Sequence, residues 1–290
     1  MGRALVRLVM WDIQVAVALV LGVSALLGVG SYRFALRVSR RAAVGVSLVA
    51  VALLALNLAY FRNSLWPARW FPFSNMIILA DPNPELTAII AGAALALMPG
   101  GMARRLVLVV PLVALCLRAS YAPLFESPPP LADRWRLGVC RQTSSASCAA
   151  ASAATLLAQR GIEATEAGMA RLCLTTANGT SSRGLFRGLK LKTAGTGLSV
   201  EAFFGDIEGL RAMREPVILT VRLENGANVD PRFQRDWGWA PGVAHNVVLL
   251  ACAENDRFLI GDPAVGPEFW DRPALETLWH GEGIRLRGAR

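Results

Sequence analysis

Histidine is nearly absent from this chain. Of 290 residues only His245 and His280 carry an imidazole. Any imidazole chemistry therefore falls to one of two positions, and a histidine-built zinc site has too few ligands. The five cysteines, Cys116, Cys140, Cys148, Cys173 and Cys252, form no CxxC pair, so no metal or other cofactor is expected. Lysine is missing from residues 1–130, which hold eleven arginines against four acids: Asp12, Asp81, Glu85 and Glu126. Residues 131–290 are close to neutral, with nineteen basic and seventeen acidic side chains. The net charge of +9 is thus mostly the flanking charge of apolar segments. No aromatic-interleaved basic run accompanies it, and nucleic acid is not an expected partner. No internal repeat is present.

What the chain has in excess is apolar surface: 54% hydrophobic residues and a mean hydropathy of +0.42, concentrated in the first half. Ile13 to Gly30 is eighteen residues without a charge, near the ~20 that cross a bilayer as a helix. A cleaved signal peptide would have a shorter core. Ala42 to Tyr60 is a second span. The aromatics Trp66, Trp70, Phe71 and Phe73 then crowd together as an interfacial belt would. Met76 to Ala80 and Leu86 to Met98 are apolar around an interruption at Asp81–Glu85, as a short span or a tilted, buried segment. Leu106 to Leu117, with Pro111, is a fourth. About four transmembrane helices are expected. Six arginines on the first and third links face four on the other side, which places the C-terminal domain outside the cytoplasm.

Ser127-Pro128-Pro129-Pro130 is a stiff spacer. The expected organisation is a helical membrane region over 1–126, a Pro-rich linker over 127–137 and a mixed α and β domain over 138–290. In that domain Ser147 suits an N-cap for a helix from Cys148 to Gln159, and Thr165 one for a helix to Leu172. Helices follow from Arg183 to Lys192 and from Asp206 to Met213, with strands at Leu198–Phe204 and Pro216–Leu223. A polar loop, Glu224–Ala244, precedes a hairpin of Asn246–Ala253 and Arg257–Ile260 that turns at Glu254-Asn255-Asp256.

Cys148 falls at the first turn of an alanine-rich helix, where unpaired N–H groups and the helix dipole lower a thiol's pKa. The same residue is equally a small packing side chain. The base is His245, at the start of a buried strand, or His280, where a surface role is the plainer reading. Asp262 follows the second strand of the hairpin and returns toward His245. Alone it is an ordinary Asp-Pro turn. Gln142, six residues before Cys148, is either a surface glutamine or an amide donor to an oxyanion. Cys116 and Cys252 read as buried, inert thiols.

In order, Gln142-x5-Cys148, Gly179-Thr180-Ser181 with Gly184-Leu185, Glu215-Pro216-Val217-Ile218-Leu219, His245-Asn246-Val247-Val248-Leu249 and Asp262-Pro263-Ala264-Val265-Gly266 resemble the motifs of the C39 bacteriocin-processing peptidases. The resemblance covers about residues 138–280. It implies an α+β papain-like cysteine peptidase domain in which Cys148 is the nucleophile, His245 the base, Asp262 its orienting group and Gln142 an oxyanion donor. It implies a peptide or protein substrate, possible leader-peptide processing, a bacterial inner-membrane setting and a separate exporter as a partner beside the lipid bilayer. Two departures stand out. The Glu224–Ala244 loop, with Trp237 and Trp239, is long for the family, and no GxxxxGK[ST] of an ATP-binding cassette occurs. The alternatives are a transglutaminase-like acyltransferase and a non-catalytic peptide-binding or transport-accessory module on the same fold. Cys140 and Cys173 flank the motif and could either pair as a disulfide in an oxidising compartment or stay free thiols.

Overall fold

A computed structural model describes residues 3–226 and 230–288. The extreme ends of the expected membrane region and peptidase domain, and residues 227–229 of the Glu224–Ala244 loop, lie outside the described residues. The chain forms two compact units. One comprises the chain up to Ser64 together with Asn75–Phe125; the other comprises Leu65–Ser74 and everything from Glu126 onward.

The first unit is helical: α1 (Arg3–Arg37), α2 (Arg40–Leu56, continued by a π-turn over Asn57–Phe61), α3 (Met76–Leu79), α4 (Asn83–Leu97) and α5 (Met102–Phe125). Two stretches, Trp11–Arg37 and Arg40–Phe61, are long and apolar enough to cross a bilayer. Leu19, Leu26, Leu48 and Val49 point outward from them. The third expected span lies on α4, which starts at Asn83 with Pro84 in its first turn, so the Asp81–Glu85 interruption is mostly a helix start. At fifteen residues α4 is ~22 Å long, short of a ~30 Å hydrocarbon core. It packs against α1, α2 and α5. Gly28 and Gly92 bring α1 and α4 together so closely that a Cβ on Gly92 would lie 2.1 Å from the Gly28 carbonyl oxygen. Polar contacts add to this packing. Ser31 donates to the Ile89 carbonyl at 2.8 Å, and Asn57 Nδ2 donates to Asn83 Oδ1 at 2.9 Å.

The second unit carries a hairpin of β1 (Arg134–Arg136) and β2 (Val139–Arg141), then α6 (Cys148–Ala158), α7 (Glu166–Leu172), α8 (Ser182–Lys192), β3 (Leu198–Phe204), α9 (Ile207–Met213), β4 (Val217–Val221), α10 (Arg232–Arg235), β5 (His245–Cys252), β6 (Arg257–Asp262), β7 (Gly266–Asp271), α11 (Arg272–Leu278) and β8 (Trp279–Gly288). Six strands form one antiparallel sheet in the order β3-β8-β4-β5-β6-β7. Strand side chains alternate between faces. Val217, Leu219, Val221, Val247 and Leu249 join Phe258, Ile260, Leu275 and Leu278 in a core on one face. The opposite face of β5 receives α6. Ala149, Ala150, Ala151, Ala153 and Ala154 are all fully buried, because α6 is covered on its other sides by α7, α8 and β2.

The β5–β6 hairpin turns where expected, with Asn255 and Asp256 both left-handed (φ 56° and 54°), as a tight primed turn requires. The strands β7 and β8 and helix α11 had no counterpart in the sequence reading. The Trp66–Phe73 aromatics also differ from expectation in their setting. They lie on a 3₁₀ turn (Trp66–Arg69) and the chain after it, which belong to the second unit.

Candidate active site

Cys148 is the first residue of α6. The cap expected of Ser147 does not form. Its hydroxyl turns back to donate to the Ser144 carbonyl at 2.8 Å, and no side chain caps the helix. Cys148 is the first-turn residue that lines the cleft, at the helix end where the dipole favours negative charge. Lower on the same helix, Ser152 Oγ donates to the Asn246 carbonyl at 2.7 Å and ties α6 to the start of β5.

His245 opens β5 and Asp262 closes β6. Val248 lies opposite Gly261, so continuing along the two strands brings Asp262 to the His245 end on the same face of the sheet. His245 Nε2 and Asp262 Oδ1 are 2.9 Å apart. Asp262 is held in turn by the Ala264 N–H, which donates to the same oxygen at 2.6 Å. With Nε2 occupied, Nδ1 is the nitrogen left for Cys148, and the two side chains are hydrogen-bonded. His280 sits elsewhere: its Nε2 is 3.1 Å from the Arg222 carbonyl oxygen, on β8 and so on the far side of β4 from His245.

Gln142 follows β2, and its N–H donates to the Pro263 carbonyl at 2.9 Å. Arg141 grips the same turn, with Nε on Pro263, Nη1 on Val265 and Nη2 on Ala264 carbonyls. The glutamine is thereby pinned beside Asp262. Its Oε1 is buried and has no hydrogen-bond partner among the described residues. The next residue is fixed by a carboxylate that the sequence reading passed over. Fully buried Glu166 accepts from the Thr143 N–H at 2.7 Å and the Thr143 hydroxyl at 2.6 Å.

Electrostatics distinguish the five thiols. Burial pushes Cys148 up, but the hydrogen bond and positive charge of His245, with the backbone N–H and side-chain amide of Asn246 donating to the sulfur, outweigh it and leave the thiol below its ordinary pKa. Burial pulls His245 down, but hydrogen bonds to Asp262 and Cys148 and their negative charge reverse this and raise it to about 10. Both shifts favour a thiolate–imidazolium pair. Cys140 and Cys173 go the other way, each raised by burial to about 12. All five cysteines are free, Cys140 and Cys173 included, and Cys252 is exposed at the end of β5 instead of buried.

Asn246 is the site residue that sequence reasoning missed. Its side chain lies on the α6 face of β5, opposite that of His245, and is buried. Thr220 donates to its Oδ1 at 3.3 Å, which turns Nδ2 toward the sulfur. An asparagine one residue after the histidine, where strand alternation sends it to the face carrying the cysteine helix, was the available signal.

The cleft at Cys148 holds about 670 Å³. The Glu224–Ala244 loop builds one wall. Trp239 packs edge-on against His245 (5.8 Å, 76°) and against Trp270 (5.9 Å, 73°), and its N–H donates to the Phe233 carbonyl at 2.8 Å. Trp237 and Phe269 stand exposed on the rim. Glu268 faces the same cleft. Burial raises its carboxyl above the ordinary range despite a 2.6 Å hydrogen bond from Trp270 Nε1.

Several solved structures resemble the chain. The peptidase domain of Streptococcus ComA, described as a bi-functional ABC transporter involved in a quorum-sensing pathway, aligns over 50% of this chain and 94% of its own at 19% identity, with a TM-score of 0.40. A double glycine motif protease from an AMS/PCAT transporter, in complex with the leader peptide, aligns over 56% and 94% at 16% identity, with a TM-score of 0.39. A periplasmic domain of the EpsAB fusion protein of the Vibrio vulnificus type II secretion system aligns over 50% of each chain at 17% identity, with a TM-score of 0.28. No family model and no curated protein matches the chain.

Proposed function

We propose that the chain is a membrane-anchored cysteine peptidase of the C39 type. The observation that carries this is the alignment of Cys148, His245 and Asp262, with Cys148 lowered while Cys140, Cys173 and Cys252 are raised. The Cys148 thiolate attacks a peptide carbonyl carbon, and the carbonyl π pair moves onto oxygen. That oxyanion sits over the Cys148 N–H and the side-chain N–H₂ of Gln142, which lines the same cleft. Collapse expels the amine, which takes the proton from His245, and leaves a thioester. Neutral His245 then takes a proton from water as the hydroxyl attacks the thioester, and the thiolate leaves with the imidazolium restored. Asp262 holds the imidazole orientation and the charge throughout.

The motif resemblance makes a leader peptide the first substrate to test, and the Trp237/Trp239 loop is the part of the cleft that gives this chain its own selectivity. The apolar stretches Trp11–Arg37 and Arg40–Phe61 anchor the domain, and the arginine distribution puts it outside the cytoplasm. The test is cleavage of a peptide library by purified full-length protein, with products identified by mass. Cys148→Ala and His245→Ala are each expected to abolish turnover, and retention of activity by either one overturns the assignment.

A further inference from the structure

The segment between α2 and α3 leaves the helical unit, folds onto the catalytic unit for ten residues, Leu65–Ser74, and returns. Its attachment is specific. Leu65 is fully buried and its N–H donates to Glu282 Oε2 at 3.1 Å; Ala68 is buried; Arg187, itself buried in α8, donates to the Ser74 carbonyl at 3.1 Å. The Arg69 guanidinium lies 5.6 Å from the Phe204 ring centre. On its outer side the same strap exposes four aromatics: Trp66 (50%), Trp70 (67%), Phe71 (50%) and Phe73 (58%). A cluster of exposed aromatics on a folded surface is the kind of feature that marks an interaction site.

We infer that this strap is a bilayer-contact surface of the catalytic unit, which seats that unit on the lipid headgroup region. The inference rests on the membrane anchoring proposed above. Its physical basis is covalent reach and composition. The apolar helix Arg40–Phe61 ends five residues before Trp66, and five residues extend at most ~18 Å. The aromatics are therefore confined near the level at which that helix leaves the hydrocarbon. Tryptophan and phenylalanine beside arginine is the composition that partitions there. Because the strap is held against β3, β8 and α8 as well as joined to the helices at both ends, contact with lipid fixes the orientation of the catalytic unit and not only its distance. The substrates it would meet are segments lying at or emerging from the membrane surface.

The test uses the full chain in nanodiscs whose acyl chains are brominated close to the headgroup, with tryptophan emission as the readout. Of the eight tryptophans, Trp11 on the first apolar helix and Trp66 and Trp70 on the strap are the ones expected to be quenched. In the Trp66→Phe/Trp70→Phe variant the lipid-quenched signal should fall roughly threefold, and Phe73→Trp should add to it. Trp11→Phe reads the anchoring separately. If Trp11 is quenched but the strap variants change nothing, the strap inference is overturned while anchoring stands; if Trp11 is not quenched either, the anchoring itself fails. Strap tryptophans reached by aqueous iodide, or shielded from both quenchers by a protein partner, also overturn it.

Discussion

Asn246 shows how one side chain can set the working range of another. Its backbone and side-chain amides both donate to Cys148, and a hydrogen bond to a charged group contributes about 1.5–3 kcal/mol. Loss of the side-chain donor in Asn246→Ala should raise the thiol. The acid limb of Cys148 alkylation, followed by mass spectrometry of the Cys148 peptide, should shift upward accordingly, and an unmoved limb removes the role. The wild-type turnover profile follows from the same pair. Activity rises as Cys148 deprotonates, below the ordinary thiol range, and falls only as His245 loses its proton, well above the ordinary imidazole range. Asp262→Asn removes the charge that raises His245, so the alkaline limb should move down and turnover drop by about 10²–10⁴-fold. At this scale the sequence was informative for Cys148, His245, Asp262 and Gln142, which the fold brings to one cleft. Asn246 and Glu166 were opaque, because their roles come from which face they occupy and not from their chemistry.

At the scale of elements, the site depends on how closely α6 approaches β5 and how firmly the Gln142–Ser147 loop is held. Ala153 is fully buried in α6, and overpacking such a position costs about 1–3 kcal/mol. Ala153→Leu should lower the unfolding midpoint of the domain and slow Cys148 alkylation together, since the helix carries the nucleophile. Glu166→Ala should also destabilise by about 1–3 kcal/mol, by leaving the Thr143 donors unsatisfied, and a denaturant titration reads it directly. The elements legible in advance were those with a strong period or a cap: the alanine-rich helix, the helix begun by Thr165, whose hydroxyl does accept from Gly168, and the β5–β6 hairpin. Strand β8 was not legible although it lies between β3 and β4. Its sequence, Trp279 to Gly288, alternates Ile284 and Leu286 with arginines and carries Gly281 and Gly283, so no apolar run marks it. Gly283 is required by the fold: a Cβ there would lie 2.4 Å from the Phe203 ring and 2.6 Å from the Ile218 carbonyl oxygen.

For the whole molecule, a contrast in charge and hydropathy on either side of the proline run was visible in the sequence. The ownership of Leu65–Ser74 was not. Its composition suits a membrane interface wherever it is placed, and contacts 217 and 113 residues apart in sequence, Leu65 with Glu282 and Ser74 with Arg187, assign it to the second unit. Cys148, His245, Asp262, Asn246 and Glu166 all lie in that unit, as do the hydrogen-bond partners named for them. The helical unit has its own tight spot, where Gly92 meets the Gly28 carbonyl oxygen. Gly92→Leu cannot be accommodated without separating α1 from α4, at a cost of at least ~1–3 kcal/mol. Thermal unfolding of the full chain in detergent should therefore show a lowered transition for the helices. The pH profile of Cys148 alkylation in the same preparation should be unchanged below that transition. A shift in that profile would mean that the two units share their stability, and that the thiolate is tuned from the helical unit as well as from β5.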